Sequence, residues 1–160
     1  MAQADPTDLN LAVLVDGLVA FLQEQQKLQK SVLPGPFPDE LAQMFEVSGH
    51  HIVALLLVAR SDDKVVATER QAILRHCVDR AQKAGQEVSP TERASLYDYL
   101  WHFRPNLMQL VSATEQLKRD TKDEIVELIA TAREVVEADG IVRLQEALYL
   151  TSLQRDLHAL

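Results

Sequence analysis

Apolar side chains recur every three to four residues along most of the chain, and no stretch of useful length alternates apolar with polar. Near the N-terminus, Leu11, Leu14, Leu18 and Leu22 fall on one stripe at this spacing, which predicts an amphipathic helix. Residues 52–59 are apolar nearly all round, which predicts the most buried helix of the fold. The pattern therefore predicts an all-α protein whose helices pack as antiparallel neighbours.

Start and stop signals divide the chain into seven predicted helices. They cover approximately residues 6–30, 38–60, 67–84, 90–104, 105–119, 122–139 and 143–157. Capping boxes at Ser89–Glu92 and Thr121–Glu124 predict two of the starts, and Gly85 is a suitable residue to end the third helix. Ser48-Gly49 is expected to bend or break the second helix, because glycine destabilises a helix interior by about 1 kcal/mol.

A length of 160 residues with 47% apolar side chains fits one ordinary domain. The chain contains only 5 glycines and 6 prolines, which favours helices over many short strands. We expect residues 1–37 to form an N-terminal helix and a proline-rich loop that pack on the main domain, residues 38–160. Together these segments are predicted to make a single domain.

Charge and cysteine content narrow the function classes. The formal net charge of −8 disfavours nucleic acid as a partner, because an acidic protein repels phosphate backbones. The acidic N-terminus does not resemble a signal peptide, and the apolar run Leu9–Leu22 is too short to span a bilayer. We therefore expect a soluble, cytoplasmic protein.

Cys77 is the single cysteine, so it permits no internal disulfide or multi-cysteine zinc site, and we predict a small core residue there.

An acidic turn occurs twice, at residues 61–69 and 138–146. When the two copies are aligned, Asp62 matches Asp139, Val65 matches Val142, and Glu69 matches Glu146. Each aspartate lies where a helix ends, and each glutamate lies in the first turn of the next helix, where the helix dipole favours negative charge. The repeat is therefore a complete helix–acidic turn–helix unit.

These two turns resemble the TerB family of tellurite-resistance proteins, whose pattern is roughly Ala-Asp-Gly-x-Val-x-x-x-Glu. Residues 138–146 match it well, whereas residues 61–69 have serine for alanine and Asp63 for glycine. Both copies lack the serine usual after the valine; Val66 and Arg143 stand there. The resemblance spans about residue 38 to the C-terminus and implies a seven-helix TerB-like bundle with internal pseudo-twofold similarity. It also implies metal binding by acidic residues.

The metal candidates are Asp62 and Glu69 in one copy and Asp139 and Glu146 in the other. Carboxylates and loop carbonyls would suit Ca²⁺ or Mg²⁺, although two carboxylates per turn are few for a tight site. The alternative is purely structural: each aspartate closes a turn, and each glutamate interacts with helix N-terminal N–H groups. Both interpretations stay open on the sequence.

The remaining candidate chemistry is sparse. None of the five histidines has the Glu-x-x-His spacing of a di-iron bundle, and each is expected to lie at the surface or half-buried. No nucleophile–base set or glycine-rich phosphate loop is recognisable. In the fourth helix Tyr97 and Trp101 form a second apolar face, which indicates either a central helix or a protein interface, such as a homodimer.

These observations lead to two functional hypotheses. The first is a non-enzymatic TerB-like module that binds divalent cations at the two acidic turns and contacts protein partners; the resemblance implies a link to tellurite or stress response. The second is a structural or scaffolding homodimer without metal. A metal-assisted enzyme is a third class, which the lack of a catalytic residue set disfavours.

Overall fold

In the computed structural model, the described residues are 9–28, 39–59, 67–103, 105–136, 144 and 147–148. Every regular element in these ranges is helical, which confirms the all-α prediction. The elements are α1 (Leu11–Leu28), a 3₁₀ turn (Asp39–Leu41), α2 (Ala42–Ala59), α3 (Ala67–Lys83), α4 (Pro90–His102), α5 (Leu107–Leu117) and α6 (Lys122–Val135). The seventh helix and the pseudo-twofold repeat stay predictions, because most of the residues that define them lie outside the described ranges.

Helix α2 is the centre of the packing and contacts α1, α3, α5 and α6. Residues Ile52–Ala59 are all buried, as the apolar run predicts. By length and composition alone α2 could cross a membrane, but 67% of its residues are buried inside the fold. A helix buried to this extent packs as a core helix, and a core helix can be as apolar as one that spans a membrane.

The expected interruption of α2 at Ser48-Gly49 is wrong, because the helix runs through both residues. Ser48 is fully buried and its hydroxyl accepts a hydrogen bond from Nε of Arg80 at 3.4 Å. Packing on several neighbours outweighs the low helix propensity of one glycine, which amounts to about 1 kcal/mol.

Helix α1 begins later than predicted. It starts at Leu11, where the side chain of Asn10 accepts a hydrogen bond from the Val13 amide at 2.9 Å, so Asn10 serves as the cap. The predicted start near residue 6 lies outside the described residues. Further along α1, a Cβ on Gly17 would lie 2.8 Å from Cδ2 of Leu148, so this glycine permits close packing between α1 and the C-terminal segment.

Most of the other helix boundaries follow local chemistry. Gly85 has φ of 79° and ends the turn after α3, and the Gln86 amide donates to the Ala81 carbonyl at 2.9 Å, as in a Schellman motif. Thr121–Glu124 forms the predicted capping box of α6. At Ser89–Glu92 the predicted box forms in part: Ser89 Oγ accepts from the Glu92 amide and caps α4, while Glu92 Oε1 accepts from the Ser89 hydroxyl. The predicted span 105–119 of the fifth helix is wrong at both ends, because an Asn106 capping box delays the start of α5 to Leu107 and the helix ends at Leu117. Helix α6 ends at Val135, before the predicted stop near residue 139.

The two faces of α4 differ as the sequence indicates. Leu96, Leu100 and Phe103 enter the core. Tyr97 and Trp101 are half-buried on another face, where the Arg70 guanidinium lies 4.1 Å from the Tyr97 ring centre and 4.6 Å from that of Trp101. Such cation–π contacts stabilise by about 0.5–1 kcal/mol at exposed sites. The face is thus partly covered by α3, and its role as an interface stays a prediction.

Candidate metal centre

Three histidines and one aspartate meet inside the helical core, and we call them the histidine–aspartate cluster. His50 and His51 are adjacent on α2, His76 lies on α3, and Asp120 lies in the link between α5 and α6. Their relative exposures are 7%, 0%, 7% and 9%, respectively, so all four are buried. Four polar side chains at this depth require mutual hydrogen bonds, because burial of an unsatisfied polar group is unfavourable.

Local sequence explains the placement of three members of the cluster, His50, His51 and Asp120. His50 and His51 immediately precede the all-apolar run of α2, so the pair is carried into the core with that run. Asp120 follows the end of α5 and precedes the Thr121 cap of α6, and its amide donates to the Leu117 carbonyl at 3.2 Å. A short turn between two packed helices therefore brings one carboxylate to α2.

The cluster is a connected chain of short hydrogen bonds. His51 Nε2 lies 2.6 Å from Asp120 Oδ2, and His50 Nε2 lies 3.0 Å from each Asp120 oxygen. On the far side of the His51 ring, Nδ1 lies 2.8 Å from His76 Nε2. His76 Nδ1 lies 2.9 Å from the Thr131 hydroxyl on α6. These hydrogen bonds therefore connect α2, α3 and α6 with the segment between α5 and α6.

Burial sets the protonation of this chain. Desolvation lowers the pKa of His51 to about 4, although its hydrogen bond to Asp120 opposes the shift. Desolvation and the neighbouring His51 lower the pKa of His76 to about 3. Desolvation acts to raise the pKa of the Asp120 carboxyl, but the hydrogen bonds from His50 and His51 outweigh it and hold the pKa well below its ordinary value. At neutral pH the ionised Asp120 therefore lies in the same cluster as the neutral imidazoles of His51 and His76.

Arg80 lies next to the cluster, and its charge is balanced by other groups. Its Nη1 donates to Glu124 Oε2 at 2.9 Å, and its Nη2 donates to the Val47 carbonyl at 3.1 Å. The guanidinium helps to keep His51 and His76 uncharged, because a positive charge nearby lowers the pKa of both. Arg80 and Glu124 form an ion pair at 2.9 Å, so the guanidinium charge is compensated from outside the cluster.

One edge of the cluster adjoins open space. His50 lines a cavity of about 500 Å³ between α2, α5 and the end of α4, together with Phe45, Val53, Phe103 and Gln109. Its Nδ1 is buried and has no hydrogen-bond partner among the described residues. The cavity brings solvent to the edge of an otherwise enclosed polar site.

The donor set can hold a metal ion. One ligating atom each from His50, His51 and Asp120 lies within 4.8 Å of the others. Donors at about 2.0–2.1 Å around tetrahedral zinc lie roughly 3.3 Å apart, so the contacts of 2.6–3.0 Å between the two histidines and Asp120 would widen by about 0.3–0.7 Å. Two imidazoles and one carboxylate suit late first-row cations rather than Ca²⁺ or Mg²⁺, which prefer oxygen ligands.

The acidic-turn prediction is untested by this geometry. Asp62, Asp139 and Glu146 lie outside the described residues. Glu69 is described, half-buried in the first turn of α3, which agrees with its predicted position in the helix. Whether each aspartate meets its glutamate stays a prediction, as do Ca²⁺ and Mg²⁺ as the ions bound there.

The histidine prediction was wrong for three of five residues, because His50, His51 and His76 are buried and were expected at the surface or half-buried. The sequence does contain a signal for two of them. Consecutive helix positions differ by about 100° in direction, so adjacent histidines at the start of an all-apolar run cannot both avoid the core. The remaining two, His102 and His158, lie where the structure does not describe the side chain. The core position of Cys77 is confirmed: it is fully buried, and burial raises its pKa to about 12.

Comparison of the chain with protein-family models, with curated protein sequences and with solved structures finds no match. The TerB resemblance therefore rests on the two acidic turns alone. Neither family membership nor a function follows from the comparisons, and the internal chemistry of the chain carries the functional argument.

Proposed function

We propose that this chain is a non-enzymatic helical module that binds a divalent transition-metal cation, with zinc the best fit, at His50, His51 and Asp120. The observation that supports this proposal is the convergence of three ligating atoms within 4.8 Å inside the core. Zinc binds imidazole and carboxylate together, and it binds such sites more tightly than Fe²⁺ in the usual order of affinities.

The electrostatics of the site favour a cation. Neutral imidazoles are the form that binds metal, and the low pKa values of His51 and His76 keep both rings neutral at physiological pH. The ionised Asp120 supplies a negative charge in a poorly solvated site, where attraction to a cation is stronger than in water. Nothing in the donor set requires a catalytic role, so binding is the simpler function.

Calorimetric titration of the full chain with Zn²⁺ tests the proposal, with Mg²⁺ and Ca²⁺ in parallel. We expect one zinc site, and we expect His51→Ala and Asp120→Asn to abolish it. Asp98→Asn is the matched control for Asp120→Asn, because it neutralises an exposed carboxylate on α4 and should leave zinc binding unchanged. At zinc concentrations 100 times Kd, the free energy of unfolding should rise by about 2.7 kcal/mol.

Two results would contradict the zinc proposal. One is the absence of both heat and a melting shift at millimolar Zn²⁺. The other is zinc binding that persists in both His51→Ala and Asp120→Asn, which would move the site elsewhere in the chain.

The acidic turns supply a second, separable cation prediction. If Asp62 and Glu69 or Asp139 and Glu146 bind Ca²⁺ or Mg²⁺, then Glu146→Gln combined with Asp139→Asn should remove one of those sites. The same double variant should leave zinc binding intact. A role in tellurite or stress response is a prediction from the TerB resemblance of these turns, and it is independent of the histidine–aspartate cluster.

The metal-free scaffold is the competing candidate, and one observation favours it. Leu107, Met108 and Val111 on α5 are 58%, 80% and 56% exposed, so part of this helix presents large apolar side chains to solvent. This is a different helix from α4, where Tyr97 and Trp101 were predicted as the interface. Light scattering distinguishes the two surfaces: a dimer through α5 should dissociate in Met108→Glu, and a dimer through α4 should dissociate in Trp101→Ala.

A further inference from the structure

The hydrogen-bond chain continues beyond the three proposed ligands. His51 presents Nε2 to Asp120 and Nδ1 to His76, and His76 in turn presents Nδ1 to the Thr131 hydroxyl. The His51 and His76 rings lie 5.1 Å apart at an interplanar angle of 21°. Neither His76 nor Thr131 belongs to the set of converging ligands, yet both are buried and linked to it. Their role in the site is therefore indirect.

Without a cation, each proton in the chain has one consistent position. An ionised carboxylate can only accept, so His51 carries its proton on Nε2 and donates to Asp120. The contact of 2.8 Å between His51 Nδ1 and His76 Nε2 needs one donor and one acceptor; with the His51 proton on Nε2, Nδ1 is the acceptor and His76 donates to it from Nε2. His76 Nδ1 is then an acceptor as well, and the Thr131 hydroxyl donates to it. All three donors point toward Asp120.

A cation on His51 Nε2 requires the opposite arrangement. The neutral ring must then carry its proton on Nδ1 and donate to His76 Nε2, so His76 holds its proton on Nδ1 and donates to Thr131. In net terms each ring changes from the Nε2–H to the Nδ1–H tautomer: the His76 Nε2 proton passes to His51 Nδ1, the His51 Nε2 proton is released to solvent, and His76 Nδ1 takes one proton from solvent. The chain therefore gains and loses no proton overall. Thr131 can end the chain in both directions, because a hydroxyl both donates and accepts. Its own proton can turn to the carbonyl four residues earlier, which a helical threonine commonly reaches.

We propose that His76 and Thr131 are positioning residues that present Nε2 of His51 to the metal, through a hydrogen-bond chain that reverses direction when the cation binds. The inference rests on the proposed zinc site. Metal-bound histidines usually donate their second N–H to a protein group, and loss of such a partner typically weakens metal affinity 10–100-fold. Here the partner is another histidine, and a hydroxyl lies behind it.

Affinity tests the role of the hydroxyl. Thr131→Val keeps the shape of the side chain but cannot accept a hydrogen bond from His76, so we expect zinc Kd to rise at least about tenfold. Thr131→Ser is the matched control, because it keeps the hydroxyl, and its Kd should stay near that of the wild type. Equal zinc affinity in the valine variant and the wild type would overturn the inference.

Histidine tautomers provide the decisive readout, because a merely structural role would not change them. In ¹⁵N-labelled full-length protein, long-range proton–nitrogen correlation spectra should show His51 and His76 protonated at Nε2 without zinc. With saturating zinc, His76 should be protonated at Nδ1. Zinc binding with an unchanged His76 tautomer would overturn the inference and leave the zinc site standing, whereas absence of zinc binding in calorimetry would overturn both.

Discussion

The histidine–aspartate cluster and the exposed face of α5 are opposite exceptions to the usual distribution of side chains. The cluster places four titratable groups inside the core, whereas α5 places Leu107, Met108 and Val111 more than half exposed. Except for His50 Nδ1, the side-chain nitrogens of the buried histidines have hydrogen-bond partners within the cluster or on Thr131, at 2.6–3.0 Å. Burial without such bonds is strongly unfavourable, whereas exposed apolar side chains are common and carry little penalty. Polar groups in the core therefore need matched hydrogen-bond partners, whereas apolar groups at the surface need no such partners.

Removal of the Asp120 carboxylate from the buried cluster should have the largest effect on stability. Asp120→Ala leaves the Nε2 groups of His50 and His51 buried without their acceptor, so at about 1–3 kcal/mol for each orphaned donor we expect a loss of about 2–6 kcal/mol in the free energy of unfolding. Urea denaturation measures it. Asp98→Ala on the exposed side of α4 is the control and should change stability by less than about 0.5 kcal/mol. If Asp120→Ala and Asp98→Ala lowered the free energy of unfolding by equally small amounts, the buried carboxylate would contribute no more to stability than an exposed one.

Acid should destabilise the protein through the same cluster. His51 and His76 have pKa values of about 4 and 3 in the fold against 6.5 for a free histidine, so the unfolded chain takes up protons first as pH falls. Their contribution is complete above about pH 6.5 and is lost as pH falls toward those folded values. We expect a loss of about 2 kcal/mol or more between pH 7 and pH 4 in the absence of metal.

Urea midpoints across this pH range measure the acid effect. The variant His76→Gln removes one of the two titrating groups and should show a shallower slope than the wild type. The lowered pKa of Asp120 adds a further loss below the ordinary range for an aspartate, with the same sign. Stability that stays flat from pH 7 to pH 4 would contradict the buried, neutral state of the histidines.

The surface region should give the smallest effect on folding. Met108→Gln exchanges an 80% exposed side chain for a polar one of similar length, so the free energy of unfolding should change by less than about 0.5 kcal/mol. Urea denaturation at low protein concentration measures it, and Leu110→Gln, two residues away but buried, is the contrasting variant that should lose several kcal/mol. A loss above about 1 kcal/mol for Met108→Gln would mean that this face is covered in solution.

The sequence predicts the helical class and the central position of α2 because both follow from local periodicity. The run Ile52–Ala59 is apolar on every side of the helix, so burial on all sides is the favourable arrangement. The caps at Ser89 and Thr121 were equally readable, since a cap depends on residues three positions apart. The cap at Asn106 shows the limit of that reading, because its Gln109 partner is less distinctive than a glutamate.

What the sequence by itself determined is therefore the class of fold, the buried helix, the turn at Gly85 and the caps at Ser89 and Thr121, all of which depend on neighbours along the chain. Only the tertiary structure decided that His50 and His51, near the middle of α2, meet an aspartate about 70 positions later and, through His51, a histidine 25 positions later. Such a meeting depends on how α2, α3 and α6 pack, and no local pattern encodes it. The physical reason is that hydrogen bonds between distant residues form only after packing has fixed the helices relative to one another.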